Sequence, residues 1–174
     1  MSTNNCKRYY GKYRGTVVNN VDPEMRGRIQ ARVLDVSNLT PTTWAMPSFP
    51  VAGTKSGIYS VPVAGSGVWI EFENGDPDYP VWTGCFCGST ADVPNLEQKT
   101  PPAVPSITFE TPLQNGITLS DMPGPSGGVR LSREGGLQAI EMNDTGITIR
   151  AGTASIQLTA TGQVIINNGA LTIQ

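Results

Sequence analysis

Apolar and polar side chains in this 174-residue chain alternate with a period of two over most of its length, and the 3.6-residue period of a helix is almost absent. Tyr13 to Val18 is rich in β-formers. Arg28 to Val36 sets Ile29, Ala31 and Val33 on one face and Arg28, Gln30 and Arg32 on the other. Gly67 to Glu73 sets Val68, Ile70 and Phe72 against Trp69, Glu71 and Glu73. Between the first two strands, Asn19 to Gly27 reads as a long hairpin connection, opened by Asp22-Pro23 and released by Gly27. Trp44 to Pro47 and Pro50 to Gly53 read as extended, Ile58 to Val63 as a strand, Asn74 to Asp78 as a turn and Pro80 to Phe86 as a closing strand. Five or six short antiparallel strands of this kind suffice for a small closed barrel.

The style changes after the barrel. Ala91 to Pro105 holds Pro94, Pro101, Pro102 and Pro105 among polar residues and reads as an extended linker. From Asn115 onward the chain falls into short phrases, most led by glycine: Gly116-Ile-Thr-Leu, Gly128-Val-Arg-Leu, Gly136-Leu-Gln-Ala-Ile, Gly146-Ile-Thr-Ile, Ser155-Ile-Gln-Leu, Gly162-Gln-Val-Ile-Ile and Gly169-Ala-Leu-Thr-Ile. Gly136, Gly146, Gly162 and Gly169 are spaced near multiples of eight, with scatter of a residue or two. The pairs Ile147/Ile149, Ile156/Leu158, Val164/Ile166 and Leu171/Ile173 point to one face, and Thr148, Arg150, Gln157 and Thr159 to the other. The expectation is an internal repeat of single short strands, not of hairpins. One narrow stack of such strands encloses almost nothing, and a single-chain solenoid needs roughly 20 residues per coil. Three chains wrapped into an intertwined, triple-stranded prism bury the apolar pairs and pair every edge. The expected segments are 1–90 as a barrel, 91–112 as a linker and 113–174 as a trimeric β-helical needle, an all-β homotrimer. A single-chain solenoid is the alternative, and the apolar alternation argues against a disordered tail.

Composition narrows the function. The chain has no histidine, which excludes Ser-His-Asp or Cys-His nucleophile activation and an imidazole metal ligand. Charged residues are 15% of the chain, below the roughly 25% of an ordinary domain, and glycine (20) with proline (14) is over-represented. The net charge of −2 lacks the footprint of a nucleic-acid binder. Three cysteines, Cys6, Cys85 and Cys87, read as free thiols of a protein made in a cytosol. No signal peptide and no membrane-spanning run are expected.

Tyr10-Gly-Lys-Tyr-Arg-Gly-Thr-Val-Val-Asn-Asn-Val-Asp-Pro23, then Gly27-Arg-Ile-Gln-Ala-Arg-Val33, Trp44-Ala-Met-Pro47 and Pro62 through Gly84 occur in one order over the first half. In these residues the chain resembles the phage baseplate assembly protein V family and the matching OB-fold segment of VgrG spikes in type VI secretion. The family's arrangement, an OB barrel followed by a β-helical needle, agrees with the second half as read above. The resemblance implies a trimeric central spike of a contractile tail or injection particle, in a virion or particle baseplate assembled in the bacterial cytoplasm. It implies barrels facing a baseplate hub protein, a needle that contacts and pierces the target cell envelope, and no enzymatic turnover.

An OB barrel also raises oligonucleotide or oligosaccharide binding, with an oligomerisation tail, as the rival function. Residues 1–60 hold eight Lys or Arg against three acidic residues, a balance of +5, and residues 61–174 hold four against eleven, a balance of −7. Tyr9, Tyr10, Tyr13 and Trp44 are candidate stacking aromatics, although Tyr13 and Trp44 fall on core-patterned segments. The basic half reads better as a docking surface, with Trp69, Arg14, Arg26 and Arg28 as candidates for hub or inter-barrel contact and Trp82 as a further exposed aromatic. Glu71 and Glu73 superficially suit two-carboxylate glycoside cleavage, but the solvent side of a strand explains them, and no catalytic residue, metal site or cofactor is expected. Asp76 and Asp78 read as turn-capping residues, with a calcium loop as the alternative. The strand pattern still runs at Leu171, Thr172, Ile173 and Gln174, which implies a blunt apolar end. Many short spikes of the family seal that end with histidine-bound iron, a route closed here. A tip protein of the PAAR-repeat kind is therefore expected to dock on these four residues.

Overall fold

The structure, a computed structural model, describes residues 7–37 and 40–173, with the backbone alone at 169, 172 and 173. Cys6 and Gln174 therefore lie outside the described residues. The chain divides into two compact units, Met1–Asp92 and Val93–Gln174.

The first unit is built on β1 (Tyr13–Asn19), β2 (Gln30–Arg32), β3 (Met46–Pro47), β4 (Ala52–Gly53), β5 (Ser56–Gly57), β6 (Gly67–Phe72) and β7 (Pro80–Phe86). Its main sheet has the order β2-β1-β6-β7-β3. The two ends of that order meet through a bridge between Ile29 and Ala45, whose backbones exchange bonds of 3.2 and 2.7 Å. This bridge curls the sheet into a barrel and removes its open edges. The expected alternation is realised inside it: Ile29, Ala31, Val33, Val68, Ile70 and Phe72 are all buried. Pairing departs from the antiparallel expectation at one place, where β3 runs parallel to β7. Ile58 to Val63 forms no strand. β4 and β5 make a small hairpin of their own, and Pro62 lacks the N–H that a central ladder requires.

Trp82 corrects the sequence reading more sharply. It is 5% exposed and belongs to the core, with its indole Nε1 donating to the Gly27 carbonyl at 3.1 Å and its ring edge-on to Phe49 at 5.5 Å. Gly27, at φ 77°, could carry no side chain: a Cβ would lie 2.8 Å from Phe49. The loop before it is held by Asp22, whose carboxylate accepts from the backbone N–H groups of Glu24, Arg26 and Arg28 and from the Arg28 guanidinium.

A 3₁₀ turn, Thr90–Asp92, ends the first unit, and a second, Glu97–Lys99, lies near the start of the second unit. Eight strands follow: β8 (Ser106–Glu110), β9 (Gly116–Ser120), β10 (Gly128–Arg133), β11 (Gln138–Asn143), β12 (Gly146–Ala151), β13 (Ala154–Thr159), β14 (Val164–Ile166) and β15 (Leu171–Ile173). The first of them falls inside the stretch expected as linker, because Ile107 and Phe109 alternate directly behind the last proline. The sheet runs from β8 to β15 in strict chain order with every neighbouring pair antiparallel. The expectation of single strands is thereby corrected: the repeat is one of hairpins, and its ladder is made by one chain's own consecutive strands. The period near eight is a strand plus its turn. Six residues in β12 and the two-residue turn Gly152-Thr153 set Ala154 directly opposite Ala151, so Ile156 and Leu158 return to the face of Ile149 and Ile147. Glycine leads so many phrases because neighbouring backbone leaves no room: at Gly128 a Cβ would clash with the Met142 carbonyl, and at Gly146 with that of Leu158.

Candidate functional site

Register and parity together write a single apolar face across the second unit. Directly paired positions share a face, so the ladder aligns Phe109, Ile117, Leu131, Ile140, Ile149, Ile156, Ile166 and Leu171 in one column. A second column holds Ile107, Leu119, Val129, Met142, Ile147, Leu158, Val164 and Ile173. All eight residues expected as trimer core stand in these columns, and the first four strands add eight more that were not named as core, although the phrases beginning at Gly116, Gly128 and Gly136 contain five of them. Within one chain nearly all of the described side chains in the columns are exposed, from 41% at Leu119 to 67% at Phe109; Ile147, Val164 and Ile166 are half-buried. A contiguous run of apolar side chains on one face, most of them exposed, is the mark of a surface that another chain covers.

The opposite face is polar and internally tied. Arg150 donates to Glu141 Oε1 at 3.0 Å, and Arg130 Nε approaches the same oxygen at 3.4 Å. The segment before β8 lies along this face. Leu96 is 4% exposed, its N–H donates to Glu110 at 2.9 Å, and the Glu97 carboxylate accepts from Ser106 at 2.6 Å and Thr108 at 2.7 Å. Those two hydroxyls hold Glu97 below the usual glutamate range. Residues 94–100 are therefore bound to the sheet and are no free tether.

On the first unit the candidate docking residues separate into two groups. Arg14 and Trp69 are directly paired across β1 and β6, with the guanidinium over both the Trp69 and Phe86 rings at 5.6 and 5.3 Å. This gives an exposed guanidinium over two half-buried rings on the outside of the barrel. Arg26 and Arg28 sit in the Asp22 loop. Arg26 is exposed, pairs with Glu24 at 3.2 Å, and borders a groove lined by Phe49, Val51, Ile58 and Tyr59. Arg28 is engaged inside its own loop by Asp22 at 2.7 Å and Glu24 at 3.0 Å, and stacks over Trp44.

Glu71 is paired with Lys12 at 2.6 Å and Glu73 opens a turn. Asp76 accepts from the Asp78 N–H and pairs with Arg8, as a turn-capping residue does. Cys85 and Cys87 are both exposed at the end of β7.

The Arg28 guanidinium, with three backbone N–H groups, pulls the Asp22 carboxyl far below the usual aspartate range. A group with a depressed folded pKa stabilises above its unfolded pKa, and that stability is lost as pH falls. Asp22→Asn is expected to lower the melting temperature of the barrel at pH 7, with the gap from wild type closing below about pH 4. Calorimetry at pH 7 and pH 3 checks this; a gap equal at both would contradict it.

Compared with known families, residues 13–86 match the type VI secretion system/phage-baseplate injector OB domain. Residues 106–172 match the phage baseplate V C-terminal trimerisation domain. The two matches follow each other in the order of the two units and cover most of the chain. No curated protein matches it.

Proposed function

The chain belongs to the baseplate V and VgrG-like family, and from that membership we propose that it is the central spike of a contractile phage tail or contractile injection system. The family's C-terminal domain is a trimerisation domain, which supports a homotrimer. The observation that carries the reading is the two-column apolar face, which three copies bury against one another around a common axis. Ile147, Ile149, Ile156, Leu158, Val164, Ile166, Leu171 and Ile173 are its trimer core, together with the columns' residues from β8 to β11. Each chain's consecutive strands already pair with one another, so the three chains cover each other's faces. The spike works mechanically: sheath contraction pushes it against the target envelope, and it turns over no substrate.

The barrels face a baseplate hub protein, with the Arg14 and Trp69 patch and the groove beside Arg26 as the contact candidates. The particle is assembled in the bacterial cytoplasm. The outer side of β15 pairs with no strand among the described residues, which suits a capping partner there. A PAAR-type tip protein docks on Leu171, Thr172, Ile173 and Gln174. Deleting residues 169–174 is expected to abolish co-purification of the tip protein while leaving the oligomer intact, read by pull-down and light scattering on one preparation. An intact spike that retains no tip protein of this kind would sink the tip assignment.

A further inference from the structure

We propose that the polar face of the second unit holds a binding site for a phosphate-bearing ligand, in the cavity between Lys99 and Arg130. The cavity has a volume of about 230 Å³ and is bordered by Thr118 and Ser120 of β9, Arg130 of β10, Asn143 of β11 and the Ser126–Gly128 loop, with Lys99 of the second 3₁₀ turn opposite. That is room for a phosphate group and several waters.

The balance of donors and acceptors around it is uneven. Of the carboxylates nearby, Glu141 Oε1 is engaged by Arg150, Glu97 by two hydroxyls and Glu110 through Oε2 by the Leu96 N–H, while Glu110 Oε1 is buried without a partner. The cations are held less firmly: Arg130 has its ion pair with Glu141, a carboxylate that itself lines the cavity. Among the described residues the Arg130 guanidinium makes no hydrogen bond, its Nε standing 3.4 Å from Glu141 Oε1 without hydrogen-bond geometry. The Lys99 ammonium has no side-chain partner there either. Thr118, nine-tenths buried, keeps a hydroxyl without a partner. A guanidinium and an ammonium facing one cavity call for a ligand made of acceptor oxygens carrying negative charge, and a phosphate meets both in one group. No aromatic ring borders the cavity, so nothing there would stack a base or a sugar.

Free phosphate and a phospholipid headgroup present the same chemistry, and two probes separate them. Inorganic phosphate is titrated into the full chain by calorimetry. Vesicles of phosphatidylcholine, with and without phosphatidic acid, are tested by flotation. Saturable binding is expected, weakened about tenfold in Arg130→Gln and in Lys99→Gln. Binding of inorganic phosphate alone assigns a soluble ligand; additional capture on phosphatidic-acid vesicles, lost in Arg130→Gln, assigns a headgroup. Should Arg130→Gln fail to assemble, Lys99→Gln decides, because Lys99 is exposed. Binding of neither probe, or wild-type affinity in the assembled variants, would overturn the proposal. These outcomes do not depend on whether the particle is a spike.

Discussion

Ile149→Asp is expected to leave the purified chain monomeric. Ile149 sits mid-strand in β12, between Ile140 and Ile156 in one column of the apolar face, and is 46% exposed until other copies cover it. An unpaired carboxylate removed from water costs several kcal/mol after relaxation, and a threefold assembly incurs that cost in every protomer. The neighbouring residue supplies the control. Thr148 lies on the opposite, polar face, where it pairs with Glu141 and Gln157, so Thr148→Asp is expected to assemble normally. Light scattering on both variants checks the pair. A normal yield of oligomer from Ile149→Asp would count directly against the apolar face as the interface.

Trp82→Ala is expected to unfold the barrel while the second unit keeps its β signal. Removing a large buried aromatic costs about 3–5 kcal/mol, and the Gly27 carbonyl loses its indole donor at a further 1–3 kcal/mol. A domain of this size has about 5–15 kcal/mol in total. Trp82→Phe retains most of the packing and loses chiefly the hydrogen bond, so its cost is expected near 1 kcal/mol. Calorimetry should show the transition of the first unit lost in the alanine variant and only lowered in the phenylalanine variant. An unchanged transition in Trp82→Ala would contradict the placement of this ring as the link between the Asp22 loop and the sheet.

Much of this fold was legible in the chain because strand parity is a local property. Val68, Ile70 and Phe72, or Ile147 and Ile149, announce their faces within five residues. What parity cannot carry is who pairs with whom. The Ile29–Ala45 bridge and the parallel step from β7 to β3 are made at long sequence distance, and no local pattern marks them. Trp82 was misread because Val81 and Trp82 are both apolar, so alternation does not choose between them; the Gly27 carbonyl and the Phe49 ring do. The hairpins of the second unit were hidden for a related reason. A strand and turn totalling eight residues give the same spacing as one coil-like step, and only the register tells them apart. The Lys99 and Arg130 pair lies 31 positions apart in sequence and meets only because a short turn and the third strand of the meander border one cavity.

Light scattering on the unmodified chain at micromolar concentration tests the central claim most directly. A sheet that leaves fifteen large apolar side chains on one face needs other copies to cover it, and a face-packed prism does so with three. The expected mass is three times 18.5 kDa, unchanged on dilution. A soluble species of 18.5 kDa with the same β content would contradict it.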